Sequence, residues 1–240
     1  GDTVLLKVSQ VAGAVRKFER FGVGPRFAAL VSDELTARLE RRLTQLSKSD
    51  AVHEEVLGLD IDDQVELFGE TINSADEEEL VEFSRTYVEK RYASAYDAIE
   101  QLQWLRIDRI GMRILDAEGI SAAEWLYLKL LISGHGARDA RYVMVDEVQD
   151  YTVTQLMVLA RYFSRAHFLL LGDEYQAIRT GTATFAQIRD IFEQSHGSVE
   201  ECALLTSYRS SPEITALFAS LMDESRQATL SSVRTPGIAP

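Results

Sequence analysis

The chain has 240 residues, 46% of them hydrophobic, with a formal net charge of -13, which is enough for one large domain or two modest ones with apolar cores. No apolar run approaches the roughly 20 residues that cross a bilayer, and no basic-then-apolar leader opens the sequence, so no membrane partner and a cytoplasmic location are expected. The single cysteine, Cys202, excludes an internal disulfide framework and is expected to pack as a small hydrophobe, while four scattered histidines give no metal-ligand spacing.

The charge is local. Residues 50 to 82 carry thirteen Asp and Glu and no Lys or Arg, which leaves the other 25 acids to balance all 25 bases. Such a tract reads first as a solvated face or loop; the alternative is a surface presented to a basic partner.

From residues 33 to 133 the periodicity is helical. Leu35, Leu39, Leu43 and Leu46 recur at spacings of four, four and three, which predicts one buried helix face. Ser74 with Glu77 predicts a capping box opening a long helix that runs to about Ile110 and is ended by Gly111. Ser121 with Glu124 predicts a second box, opening "AEWLYLKLLIS" and closed by Gly134.

After Gly136 short apolar runs alternate with helical patterns. "YVMV" (Tyr142–Val145), "FLLL" (168–171) and "CALL" (202–205) predict fully buried strands, and "TVTQLMVLARYF" between the first two carries a further box at Thr152 and Gln155. This rhythm predicts an α/β fold with a parallel sheet, whose function would gather at the carboxyl ends of the strands. Ser211 followed by Pro212 predicts one more helix start. Residues 227 to 240, with Ser, Thr and two prolines, read as a linker or tail.

Polar clusters follow all three runs. Asp146-Glu147 follows the first. Paired carboxylates there suit nucleotide hydrolysis, one holding the waters of a magnesium ion and the other taking a proton from the attacking water. Gly172-Asp173 leads to Gln176, an amide able to bond both a γ-phosphate oxygen and a water. Tyr208-Arg209 supplies a flat stacking surface and a permanent cation suited to charge on a transferring phosphoryl group. Taken singly, each of these residues reads as an ordinary surface group.

Together and in this order, "VDEVQD", "GDEYQAI" and "SYRSSPEI" resemble the UvrD/Rep type of superfamily 1 helicase, over about residues 140 to 222. The resemblance implies a RecA-like P-loop NTPase sheet, with ATP and Mg2+ as cofactors and single-stranded or duplex DNA as partner. It implies that Asp146 holds magnesium and Glu147 activates water. Gln176 would contact the γ-phosphate, Tyr208 stack on adenine, and Arg209 act as the arginine finger. Within the family, "EWLYLKLLISGHGARDARYVMVDEVQDYT" is most similar to the HelD or helicase IV-like branch. That implies a large, mostly α-helical insertion ahead of the first strand and RNA polymerase as a partner through it. The expected organisation is a remnant of the ATPase domain at 1–12, the insertion at 13–135, the RecA-like portion at 136–226 and the tail at 227–240.

Two departures shape the expectation. No stretch matches the G-x-x-x-x-G-K-[ST] phosphate loop, and the late helicase motifs are absent, so the chain reads as the middle portion of a longer helicase, inactive alone. Gln176 is followed by "AIRTGTATF", without the early aromatic that would stack on single-stranded bases. The acidic tract also repels phosphates, and the HelD likeness implies the alternative function, an ATPase that remodels RNA polymerase.

Overall fold

The computed structural model describes residues 3–72, 76–222 and 230–237. The chain forms two compact units, Gly1–His196 and Gly197–Pro240. The first contains α1 (Val8–Phe18), α2 (Pro25–Leu46), α3 (Asp50–Leu57), α4 (Ile61–Phe68), α5 (Glu77–Arg91), α6 (Ala93–Glu100), α7 (Ile107–Leu115), α8 (Ala122–Ser133), β1 (Tyr142–Val145), α9 (Val153–Tyr162), β2 (His167–Leu170) and α10 (Phe185–His196). The second contains β3 (Thr206–Ser207), α11 (Pro212–Ala219) and β4 (Ser231–Ser232). Helix dominates, and the class is α/β with parallel pairing in both units.

The leucine stripe of α2 becomes the centre of the helical core. Leu35, Leu39 and Leu43 are fully buried, clustered with Ala14 of α1, Val88 of α5 and Ile99 of α6, and Leu46 packs at the edge. Pro25 at the first turn and its fixed φ suit the start of this helix. The box at Ser121 forms as expected: its hydroxyl accepts the Glu124 N–H while the Glu124 carboxylate accepts the Ser121 N–H at 2.6 Å. Gly134, at φ +67°, closes α8 in the left-handed region that glycine enters freely.

The long helix expected from residue 74 is three shorter ones. Ser74 lies outside the described residues, and α5 starts at Glu77 under an Asp76 cap that accepts the Glu78 N–H. Tyr92 leaves helical geometry, Leu102 takes φ +60°, and the chain turns before α7. Gly111 does not end a helix but lies buried inside α7. A Cβ there would meet Ile120 Cδ1 at 2.7 Å and Leu128 Cδ1 at 2.8 Å, so the missing side chain lets α7 sit close to α8.

In β1 and β2 the register pairs Tyr142 with His167 through Val145 with Leu170, in parallel, with α9 as the crossover. Thr152 caps α9 through the box with Gln155. α9 packs between α8 and α10, and the Phe168 ring meets Phe192 of α10 with centroids 4.7 Å apart. The strands are not buried on both faces. Val145 is buried and Val143, Phe168 and Leu170 are half-buried, but Tyr142 and Met144 are 80% and 68% exposed beside His167 and Leu169. Helices cover only one face, so the side chains alternate with period two where the apolar runs had suggested burial all round.

"CALL" is not a strand. Residues 202–205 are exposed, Leu204 by 92%, Cys202 is exposed rather than packed, and pairing begins at Thr206. Hydrophobicity alone supplies no ladder partner; the partner here is Ser231–Ser232, within the stretch expected to be tail.

Candidate functional site at the carboxyl ends of β1 and β2

Where β1 and β2 end, they stay joined by two further backbone bonds, Leu171 N–H to Val145 O at 2.8 Å and Val148 N–H to Leu171 O at 2.9 Å. The second bond draws the chain after β1 across the end of β2 and forces a sharp exit from the strand. Glu147 sits at that exit with φ +51°, a left-handed backbone that for a side chain like Glu stores about 1 kcal/mol of strain. A short 3-10 turn, Val148–Asp150, follows.

Both carboxylates of the pair are exposed. Asp146 Oδ1 accepts the Glu147 N–H at 2.9 Å, while Oδ2 is left for another ligand. Glu147 Oε2 accepts from Gln149 Nε2 at 2.6 Å.

Gln149 is the residue that sequence reasoning missed. Its side chain is 3% exposed, and its Oε1 accepts the Asp173 N–H at 3.1 Å, so one buried amide clamps the β1 exit to the β2 exit. Gly172 makes room for it: a Cβ would lie 2.5 Å from Gln149 Oε1 and 2.8 Å from Val148 Cγ1. The signal was present in the repeated pattern of a strand, a carboxylate and a Gln in both "VDEVQD" and "GDEYQAI".

Asp173 carries the clamp onward. Its Oδ1 accepts the Tyr175 N–H at 3.0 Å and its Oδ2 accepts from Gln176 Nε2 at 2.8 Å, which holds Gln176 on a 3-10 turn, exposed to solvent. The following loop returns to the first motif, with the Ala183 N–H donating to Tyr151 O at 2.8 Å. Asp146, Glu147 and Gln176 therefore stand on two adjacent exits bridged by Gln149 and Asp173. Asp150 Oδ1 is buried beside them with no hydrogen-bond partner.

Tyr208 and Arg209 belong to the second unit. Tyr208 is 76% exposed, and the Arg209 guanidinium has no partner among the described residues. Arg209 O accepts from Arg234 Nη1 at 2.9 Å, and Ser210 O from Ser232 Oγ at 2.6 Å, so β4 and Arg234 just beyond it hold the segment. Ser211 precedes Pro212 at the start of α11 as expected, and its hydroxyl bonds to Glu213 rather than capping the helix backbone. That bond, the Glu213 N–H and the Gly237 N–H hold the Glu213 carboxyl below the usual carboxylate range.

Among the described residues no group of three or more His, Cys, Asp or Glu converges as a metal cage. The exposed Asp146 carboxylate still suits magnesium, which keeps several waters and takes one or two carboxylates. No protein-family model and no curated protein matches this chain.

Proposed function

We propose that the chain is part of an ATP-dependent motor of the UvrD/Rep helicase type, with β1, α9, β2 and α10 as a portion of a RecA-like ATPase domain and the preceding helices as an insertion. The observation that supports this reading best is the bridged pair of strand exits, with Asp146-Glu147 on one and Gln176 on the other, tied through Gln149 and Asp173. Parallel strands offer their ligand-binding edge at their carboxyl ends, and these residues occupy that edge.

In this reading Asp146 holds hydrated magnesium through its outward oxygen. The metal, bound with ATP, neutralises charge on the phosphoryl oxygens. Glu147 takes the proton of the attacking water, and the Gln149 amide fixes which way its carboxylate points. Gln176 contacts the γ-phosphate and transmits its loss through Asp173 to the Glu147 turn. Tyr208 stacks on adenine and Arg209 neutralises the transition state. No phosphate-loop pattern occurs among these 240 residues.

A second reading, a HelD-type ATPase that remodels RNA polymerase, is favoured by two observations. Ile178, not an aromatic, is the exposed apolar residue after Gln176, and the helical region carries the acids of residues 50 to 82. ATP hydrolysis by the full-length polypeptide containing this chain, with and without single-stranded DNA, tests the two. Strong stimulation by DNA is expected for the motor; hydrolysis indifferent to DNA would replace it with the remodelling ATPase, and no hydrolysis would overturn both.

A further inference from the structure

Among the described residues, three acids rim an open, mostly polar cleft that includes an aromatic pair. Between the end of α4 and the first turns of α5 is a cleft of about 270 Å³. Leu67, Phe68 and Phe83 form its apolar lining, with the two rings edge to face and centroids 5.0 Å apart. Glu70, Glu79 and Glu82 rim it, all exposed and without an ion-pair partner among the described residues. The nearby bases do not neutralise them: Lys90 donates to Leu67 O, and Arg91 pairs with Glu55.

An exposed apolar stripe runs along α4 toward Phe68 at the cleft. Ile61, Val65 and Phe68 recur at spacings of four and three, so they share one helix face, yet only Phe68 is packed; Ile61 is 67% and Val65 48% exposed. Asp62 and Glu66 lie to one side of this stripe, and Asp63 on the opposite face of the helix. An exposed apolar stripe leading into an aromatic cleft fits the apolar face of a helix, and the acids around it fit lysines and arginines on that helix's flanks. The same acids repel nucleic acid and anionic membrane.

We propose that this face docks a basic amphipathic helix of a partner protein, with an aliphatic or aromatic side chain in the Phe68–Phe83 cleft and basic side chains on Glu70, Glu79 and Glu82. The proposal does not depend on the ATPase reading. Its test is binding of a synthetic helical peptide with one leucine face and one lysine face, followed by fluorescence anisotropy. Binding that weakens about tenfold or more in Glu79→Lys/Glu82→Lys, and separately in Ile61→Asp/Val65→Asp, is expected. A control reversal on α10, Asp190→Lys/Glu193→Lys, leaves it unchanged. Circular dichroism confirms that each variant keeps its helices. No binding, equal loss in the control, or equal binding of a serine/lysine peptide without the leucine face would overturn the proposal. So would a concentration-dependent dimer of this chain that Glu79→Lys/Glu82→Lys abolishes, since the occupant would then be a second copy.

Discussion

Gln149 illustrates how a polar side chain can be buried without penalty: its amide donates to Glu147 and its carbonyl accepts from Asp173, and both partners lie on the site it organises. Gln149→Ala leaves the Asp173 N–H without its acceptor and frees the Glu147 carboxylate, for an expected loss of about 1–3 kcal/mol. Urea unfolding measures it; an unchanged midpoint would contradict the clamp. Asp146, Glu147, Gln176, Tyr208 and Arg209 were proposed from residue types alone, and the structure brings Asp146, Glu147 and Gln176 onto adjacent strand exits. The packing role of Gln149 and Gly172 was not legible, although the Gln pattern was, because it is a mutual fit: one amide oxygen occupies the space that a Cβ on the other would take.

At the scale of elements, several local signals read well, although the helix end expected at Gly111 did not. The α2 stripe and the boxes at Ser121 and Thr152 needed only neighbours within one turn, and they form as expected. Leu39, fully buried in the α2 core, is expected to lose about 2–5 kcal/mol as Leu39→Ala, measured by chemical denaturation, whereas an exposed position would lose almost nothing. Signals that depend on distant partners were misread. "CALL" has the composition of a strand but joins the ladder only through Leu205 O, which accepts the Ser231 N–H, while Ser231–Ser232 looks like tail and pairs with Thr206–Ser207. Glu213 adds a pH dependence to that small unit. Its folded carboxyl titrates below the ordinary value, so its contribution is present above the unfolded carboxylate pKa and is lost as pH falls through the folded one. An NMR titration should place Glu213 below the usual carboxylate range, and Glu213→Gln should remove the acid-dependent loosening of Gly237; an ordinary midpoint would contradict the contact.

For the whole molecule, compactness divides the chain between His196 and Gly197, whereas pattern divides it near Gly136, where helices give way to strands. The α/β class was legible because strand and helix periods differ. The open sheet face was not: in an apolar run the outward residues Tyr142, Met144 and Leu169 look like the inward ones, and only the placement of helices separates them. Among the described residues no helix is long and apolar enough to cross a membrane. In the proposed reading the exits of β1 and β2 form the water-activating side of an ATPase. The most direct measurement is ATP turnover and nucleotide binding by the full-length polypeptide with Glu147→Gln, which removes the base and keeps Asp146. Turnover that falls by about 100-fold or more with nucleotide affinity retained is the predicted result; turnover equal to that of the unaltered protein would contradict it.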